Sequence, residues 1–325
     1  MNRSIASLAA RRLGSSLLLF AIVLSLTFFL IRLAPGDPSQ LIDDAKMAPE
    51  YRDSLRALWG LDRPILEQYV LWMRSILLRG DWGMSFSSRR PVSTLVAERI
   101  PATLLLAGVG LTLQYLVGLL LGITAARRAG SKTDHLLRTG SILLYALPVF
   151  WTGLMALSLF SYRLGWLPGG AMRSLDAGDW GLAARLLDLL RHLLLPSVVL
   201  AAAATGATVR FARNSLLEVL GQDFIRTARA KGLSESRVVW VHALRSAATP
   251  LVQVLGLSLP FLLSGSLIVE AVFSWPGLGD LAWQAAIRRD YPVIVATTAL
   301  SGFLVILGNL LADLCQVFLD PRMRE

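Results

Sequence analysis

The stretch AARRAGSKT, Ala125 to Thr133, comes nearest in this chain to a phosphate-gripping loop. Such a loop follows G-x-x-x-x-G-K-[ST], because its backbone N–H groups must wrap a phosphate before a lysine reaches it. Here Ser131 separates Gly130 from Lys132, and Ala125 stands where the upstream glycine is required. The stretch reads as a basic turn, and the chain does not hydrolyse ATP by itself. Ion-coupled transport usually leaves ionisable residues inside apolar spans. The long apolar runs carry none, only scattered polar positions such as Gln114, Gln253 and Asn309. Each of the three suits either lining a pathway or bonding one helix to the next. No nucleophile and base, and no pair of carboxylates, lie at membrane depth, so no catalytic residue is expected. His135, His192 and His242 lack metal-ligand spacing, and Cys315 stands alone, which rules out an intrachain disulfide.

One stretch points instead to docking. Between two apolar runs lies IRTARAKGLSESRVVWVHALR, Ile225 to Arg245, too long and too basic for a simple connection. Helix-forming residues from Phe224, with Asp223 as a possible cap, stop at Gly232, the residue expected where a helix must end left-handed. A second helix is expected from Ser234, although Ser234-x-x-Arg237 lacks the acidic member of a capping box. Ala228 and Ala230 are small enough for another protein to approach, and Arg226, Arg229 and Lys231 could orient it. A basic loop lying on acidic lipid explains the same residues equally well.

The elements that hold this stretch are membrane spans. Hydrophobic residues make up 54% of the 325 and charged residues only 17%, a membrane composition. Six runs without charge or histidine, Leu13–Ile31, Ile100–Ala126, Thr139–Tyr162, Leu193–Val209, Ser246–Val269 and Tyr291–Ala312, approach or exceed the roughly 20 residues of a span. The first is longer than a signal core and is expected to stay. Its flanking Arg3, Arg11 and Arg12 share one face with Arg127, Arg128, Lys132 and Arg138, and with the basic residues from Arg210 to Arg245. The positive-inside rule puts that face, and both termini, in the cytoplasm. The formal charge of +10 then answers to acidic lipid, not to nucleic acid.

The expected fold is an all-α membrane protein of six spans. A tail and first span cover 1–32, an extracytoplasmic loop with short amphipathic helices covers 33–99, and a five-span core covers 100–325, including a cytoplasmic loop over 210–245. In the outer loop, Pro49 with Gly60 and Pro64 with Gly80 bracket two helices, the second presenting Ile65, Tyr69, Trp72 and Ile76 on one face. Gly118-x-x-x-Gly122 favours close helix packing, and Gly256, Pro260 and Gly265 interrupt the fifth run.

DFIRTARAKGLSESRVVWVHALR resembles the cytoplasmic loop of permease subunits of binding-protein-dependent ABC importers, in the dipeptide, oligopeptide and nickel branch. The superfamily pattern, E-A-A, three residues, G, nine residues, I-x-L-P, is mostly missing: anchored on Gly232, Arg226, Thr227 and Ala228 replace E-A-A, and His242 to Arg245 replace I-x-L-P. Yet LAPGDP, GLDRPILEQYVLW, GDWGMSF, ERIPATL, GWLP, VEAVFSWPGLG, RDYPV and FLDPRMR extend the likeness to that branch, and to the first of its two permease subunits, over nearly the whole chain. The resemblance implies a bacterial inner-membrane protein that partners a second permease, two ATPase subunits carrying ATP and Mg, and an extracytoplasmic binding protein. This chain itself would hold no cofactor. Asp223, Phe224, Arg226, Thr227, Ala228, Arg229, Ala230, Lys231, Gly232 and Leu233 would belong to the coupling helix that docks on an ATPase. Peptides are the expected cargo and nickel the alternative. A self-contained channel or secondary transporter, or a membrane-anchored interaction protein, would leave that helix without a task.

Overall fold

The computed structural model describes residues 2–33, 60, 62–247 and 266–319, and of these the side chains from Gly14 to Leu310. Regular structure among them is helical, apart from one isolated bridge between Met84 and Pro91. In chain order the longer helices are α1 (Asn2–Leu33), α2 (Ile65–Arg79), α3 (Val92–Arg127), α4 (Lys132–Ala146), α5 (Val149–Ala156), α6 (Leu182–Leu220), α7 (Asp223–Ala230), α8 (Leu278–Ile287) and α9 (Tyr291–Leu319). Four segments are long and apolar enough to cross a bilayer: Gly14–Leu33, Val92–Arg127, Leu182–Leu220 and Tyr291–Leu310. The fifth apolar run, with Gln253, Gly256, Pro260 and Gly265, lies largely or wholly outside the described residues.

The third run is not one continuous helix. Its helix breaks at Leu147 and Pro148, and the helical segments on either side, Lys132–Ala146 and Val149–Arg163, are bent by 98°. Proline lacks an N–H and forces its predecessor out of helical geometry, and Leu147 is extended at φ −75° and ψ 130°. Beyond α5 the helix widens to π geometry over Leu157–Arg163. The described residues thus contain four spans, or five if the bent pair counts as one. The fourth run, in contrast, is only the middle of α6. At 39 residues this helix is about 58 Å long, more than a bilayer needs, and its charged residues stand toward its two ends.

The chain forms two compact units, one of Met1–Ile5, Leu104–Trp275 and Val305–Glu325, the other of Ala6–Thr103 and Pro276–Leu304. In the first, α3 packs closely on α6. A β-carbon added at Gly118 would lie 2.7 Å from Thr208, and one at Gly122 would lie 2.6 Å from Ala212 and 2.9 Å from the Val209 carbonyl. The spaced glycines therefore set the helix separation. Gly122→Ile should lower stability by at least about 1–3 kcal/mol through overpacking. Thermal unfolding reads it, and Gly108→Ala, at a position with open space around its β-carbon, should change little.

In the second unit, α2 starts just after Pro64 and stops at Gly80, which is left-handed at φ 62°. Its expected face meets α1: the Tyr69 ring stacks on Phe29 at 5.1 Å, Trp72 stacks on Phe28 at 5.1 Å, and the Tyr69 and Ser25 hydroxyls are hydrogen-bonded at 2.8 Å. Buried Asp290, just before α9, closes the turn that follows α2. Its carboxylate accepts from the Ser85 hydroxyl at 2.5 Å, the Ser87 hydroxyl at 2.7 Å, and the N–H groups of Phe86 and Ser87, each at 3.0 Å. Asp290→Ala strands these donors and should cost at least about 2 kcal/mol, at about 1–3 for each of the fully buried Ser85 and Phe86 donors left unmade. Faster tryptic cleavage after Arg89 would report the opened turn; the Arg90 bond, followed by Pro91, is not a tryptic site.

Candidate functional site

Helix α7 is a short lever rooted in its own chain. Gln222 precedes it with extended backbone and makes no side-chain cap, so Asp223 is the first helical residue and not the cap. The Thr227 hydroxyl donates to the Asp223 carbonyl at 3.0 Å. Eight residues cannot sustain a helix alone, so tertiary packing must stabilise this one. Ile225 and Ala228 supply that packing. Both are buried with Ile123 and Ala126 of α3, Ala212, Leu216 and Val219 of α6, and Val238 and Val239 beyond the glycine. Of the two alanines expected to admit a partner, Ala230 is exposed, whereas Ala228 faces inward. Phe224, Arg226, Thr227 and Arg229 complete the outer face with Asp223 and Ala230.

The end of α7 has a specific hydrogen-bond pattern. Gly232 N–H donates to the Arg229 carbonyl at 2.9 Å, and Leu233 N–H to the Ala228 carbonyl at 3.4 Å, the paired bonds of a Schellman stop. The stop needs a left-handed residue, and Gly232 sits at φ 78°. Lys231 caps the helix, and Leu233 packs against the buried cluster. Across the turn the Arg229 guanidinium grips Glu235 with two bonds, Nη2 to Oε1 at 2.7 Å and Nε to Oε2 at 3.1 Å. That pair holds the Glu235 carboxyl below its usual range. Ser234 precedes the short helical stretch Glu235–Arg237 without a side-chain cap, and the chain continues in π geometry over Val238–Ala243. Arg229 with Glu235 was not legible in sequence, since a contact six residues apart follows no helical period.

The three scattered polar positions have different surroundings. Gln114 is buried, and its side-chain amide donates to the Thr208 hydroxyl at 3.0 Å, joining α3 to α6. Asn309 is exposed on α9, and Gln253 lies outside the described residues. At the phosphate-loop near miss, the chain makes a helix start: the Ser131 hydroxyl accepts from Asp134 N–H at 3.3 Å, and Asp134 accepts from Gly130 N–H at 2.9 Å. Asp134 also meets Arg213 from α6 through two bonds of 2.6 and 2.7 Å. This ion pair joins residues 79 positions apart, a separation that no local pattern announces. Among the described residues, no three His, Cys, Asp or Glu side chains gather as a metal site would require.

Long apolar helices, with the short helix α7 and its glycine stop packed on the ends of two of them, define a helical membrane protein. The chain belongs to the family described as the binding-protein-dependent transport system inner membrane component, which it matches over residues 118–325, with that family's N-terminal region matched over 5–107. It is 40% identical to the oligopeptide transport system permease protein AppB of Bacillus subtilis over 92% of this chain and 93% of that one. It is 39% identical to the di/tripeptide transport system permease protein DppB of Pseudomonas aeruginosa over 98% and 99%. The dipeptide permease DppB of Escherichia coli K12 is 38% identical over 97% and 98%. In fold, the chain resembles the MetNI methionine ABC transporter in an inward-facing conformation, with a TM-score of 0.58 at 19% identity, covering 70% of this chain and 97% of that chain.

Proposed function

We propose that this chain is the peptide-conducting permease subunit of an ATP-driven importer, and that α7 is its coupling helix. The observation that carries this reading is the two-sidedness of α7. Its inner residues Ile225 and Ala228 are locked among the ends of α3 and α6, while Phe224, Arg226 and Arg229 remain outside. A partner that pushes on the outer face moves the spans through the inner one. That partner is an ATPase subunit, which binds ATP and Mg; a pair of them, a second permease and an extracytoplasmic binding protein complete the complex.

The full topology is six spans with both termini in the cytoplasm, supported by the basic residues gathered on the face that carries α7. Residues 33–99 are extracytoplasmic and 100–325 form the five-span core. In this assignment the kinked third run serves as one span. The peptide names of the similar permeases favour peptides over nickel as cargo.

Purification from native membranes through a tag on this chain, followed by mass spectrometry, tests the assembly. Two ATPases and a second permease are expected to accompany it. A chain that purifies only with itself and moves solute in liposomes without ATP would overturn the reading.

A further inference from the structure

Within the unit built from Ala6–Thr103 and Pro276–Leu304, a cavity of about 620 Å³ opens beside the last turn of α1. That volume is in the range of small-ligand sites, about 300–1,000 Å³. Arg32, one residue before the end of α1, lines it. The Arg32 guanidinium carbon lies 5.3 Å from the centre of the Phe28 ring and 5.6 Å from that of Tyr291. Ring faces satisfy the charge of a guanidinium in part but accept none of its N–H bonds in the manner of an oxygen. Arg32 Nη1 is shielded from solvent and has no hydrogen-bond acceptor among the described residues. A buried, charged donor without an acceptor is costly. An anionic oxygen from outside the chain would remove that cost.

Two further observations say what else the ligand must carry, namely donors and a positive charge. Gln68 Oε1, in the same wall, is also buried without a donor among the described residues, while its amide nitrogen is committed to the Arg63 carbonyl at 2.8 Å. At the exposed rim stands the carboxylate of Asp81, held by the Gly83 N–H at 2.8 Å. Leu71, Trp72 and Phe86 supply apolar wall between them. The other cation in the lining, Arg63, is already paired with Glu67 at 3.0 Å, so a cation inside that is free among the described residues, an acid at the mouth and apolar sides complement a zwitterion with a carboxylate at one end and an ammonium at the other. Asp81 would repel a lipid phosphate and attract an ammonium group. From this geometry we infer that the cavity is a transit site for short peptides, in which Arg32 pairs with the α-carboxylate and Asp81 with the α-ammonium. The inference rests on the peptide-importer reading and adds a site to it.

Thermal shift of the complex purified without its binding protein tests the site, with dialanine and its C-terminal amide as probes. Dialanine should raise the unfolding temperature of the wild type and the amide should not. Arg32→Gln should raise the dissociation constant of dialanine at least about tenfold, the weight of one charge-assisted pair. Arg32→Lys, which keeps a charge but loses the fork, should fall between. Equal shifts with dialanine and the amide, no shift in the wild type, or equal affinity in Arg32→Gln would each overturn the site. So would an anionic phospholipid retained by the wild type in native mass spectrometry and lost from Arg32→Gln. Uptake of dialanine into liposomes, with ATP and the binding protein present, is scored separately. Uptake without a thermal shift removes the pocket and leaves the importer standing; a shift without uptake leaves a dialanine-binding pocket but removes both the importer reading and the pocket's role in transit.

Discussion

A complex carrying Gly232→Val is expected to hydrolyse ATP while importing peptide at about one-tenth of the normal rate or less. The reason lies in one backbone angle. Gly232 holds φ 78°, where an L-residue with a β-carbon costs about 1–2 kcal/mol and a β-branched one more. Space is not the obstacle, since a β-carbon there would meet nothing within 4 Å. Relief of the strain means giving up the bonds from Gly232 to Arg229 and from Leu233 to Ala228, and with them the fixed angle between α7 and the segment after it. A loss of about 1.4 kcal/mol in the coupled state is tenfold in its population. Gly232→Asn, tolerated in left-handed geometry, should retain much of the coupling. The measurement is the ratio of peptide imported to ATP hydrolysed in liposomes. A normal ratio for Gly232→Val would remove Gly232 from the coupling mechanism.

Arg213→Met is expected to destabilise the protein by about 3–5 kcal/mol, the penalty for leaving one partner of a buried ion pair uncompensated. The Asp134 side chain is 1% exposed and that of Arg213 is 15% exposed, so water cannot replace the lost guanidinium. Asp134 would keep only the Gly130 N–H at 2.9 Å and its place in the first turn of α4. Asp134→Leu combined with Arg213→Met removes both charges and should recover most of the loss, because an apolar pair of similar volume often serves a buried site as well. Thermal unfolding of the purified complex decides. If Arg213→Met unfolds at the wild-type temperature, the ion pair contributes nothing to holding α4 against α6.

The readings that succeeded from sequence rest on local rules. Pro64 and Gly80 delimit α2 because proline suits a helix start and glycine a left-handed stop. Gly232 ends α7 for the same steric reason, and the Gly118 and Gly122 spacing signals close packing because nothing else permits it. Pro148 was equally readable, since proline displaces its predecessor from helical geometry, yet the continuous hydropathy around it suggested an unbroken span. Hydropathy reports solvent preference and is blind to a 98° bend.

By itself, the sequence determined the class of protein, its apolar runs, and where α7 stops, because apolar composition and left-handed stops are decided within a few neighbouring residues. Only the tertiary structure decided which side of α7 faces inward, that Asp134 finds Arg213, that Asp290 closes the turn at Ser85, and that Arg32 faces a cavity between two rings. Each of the last three joins groups distant in the chain. Local propensity carries no information about such meetings, which exist only after the helices have packed.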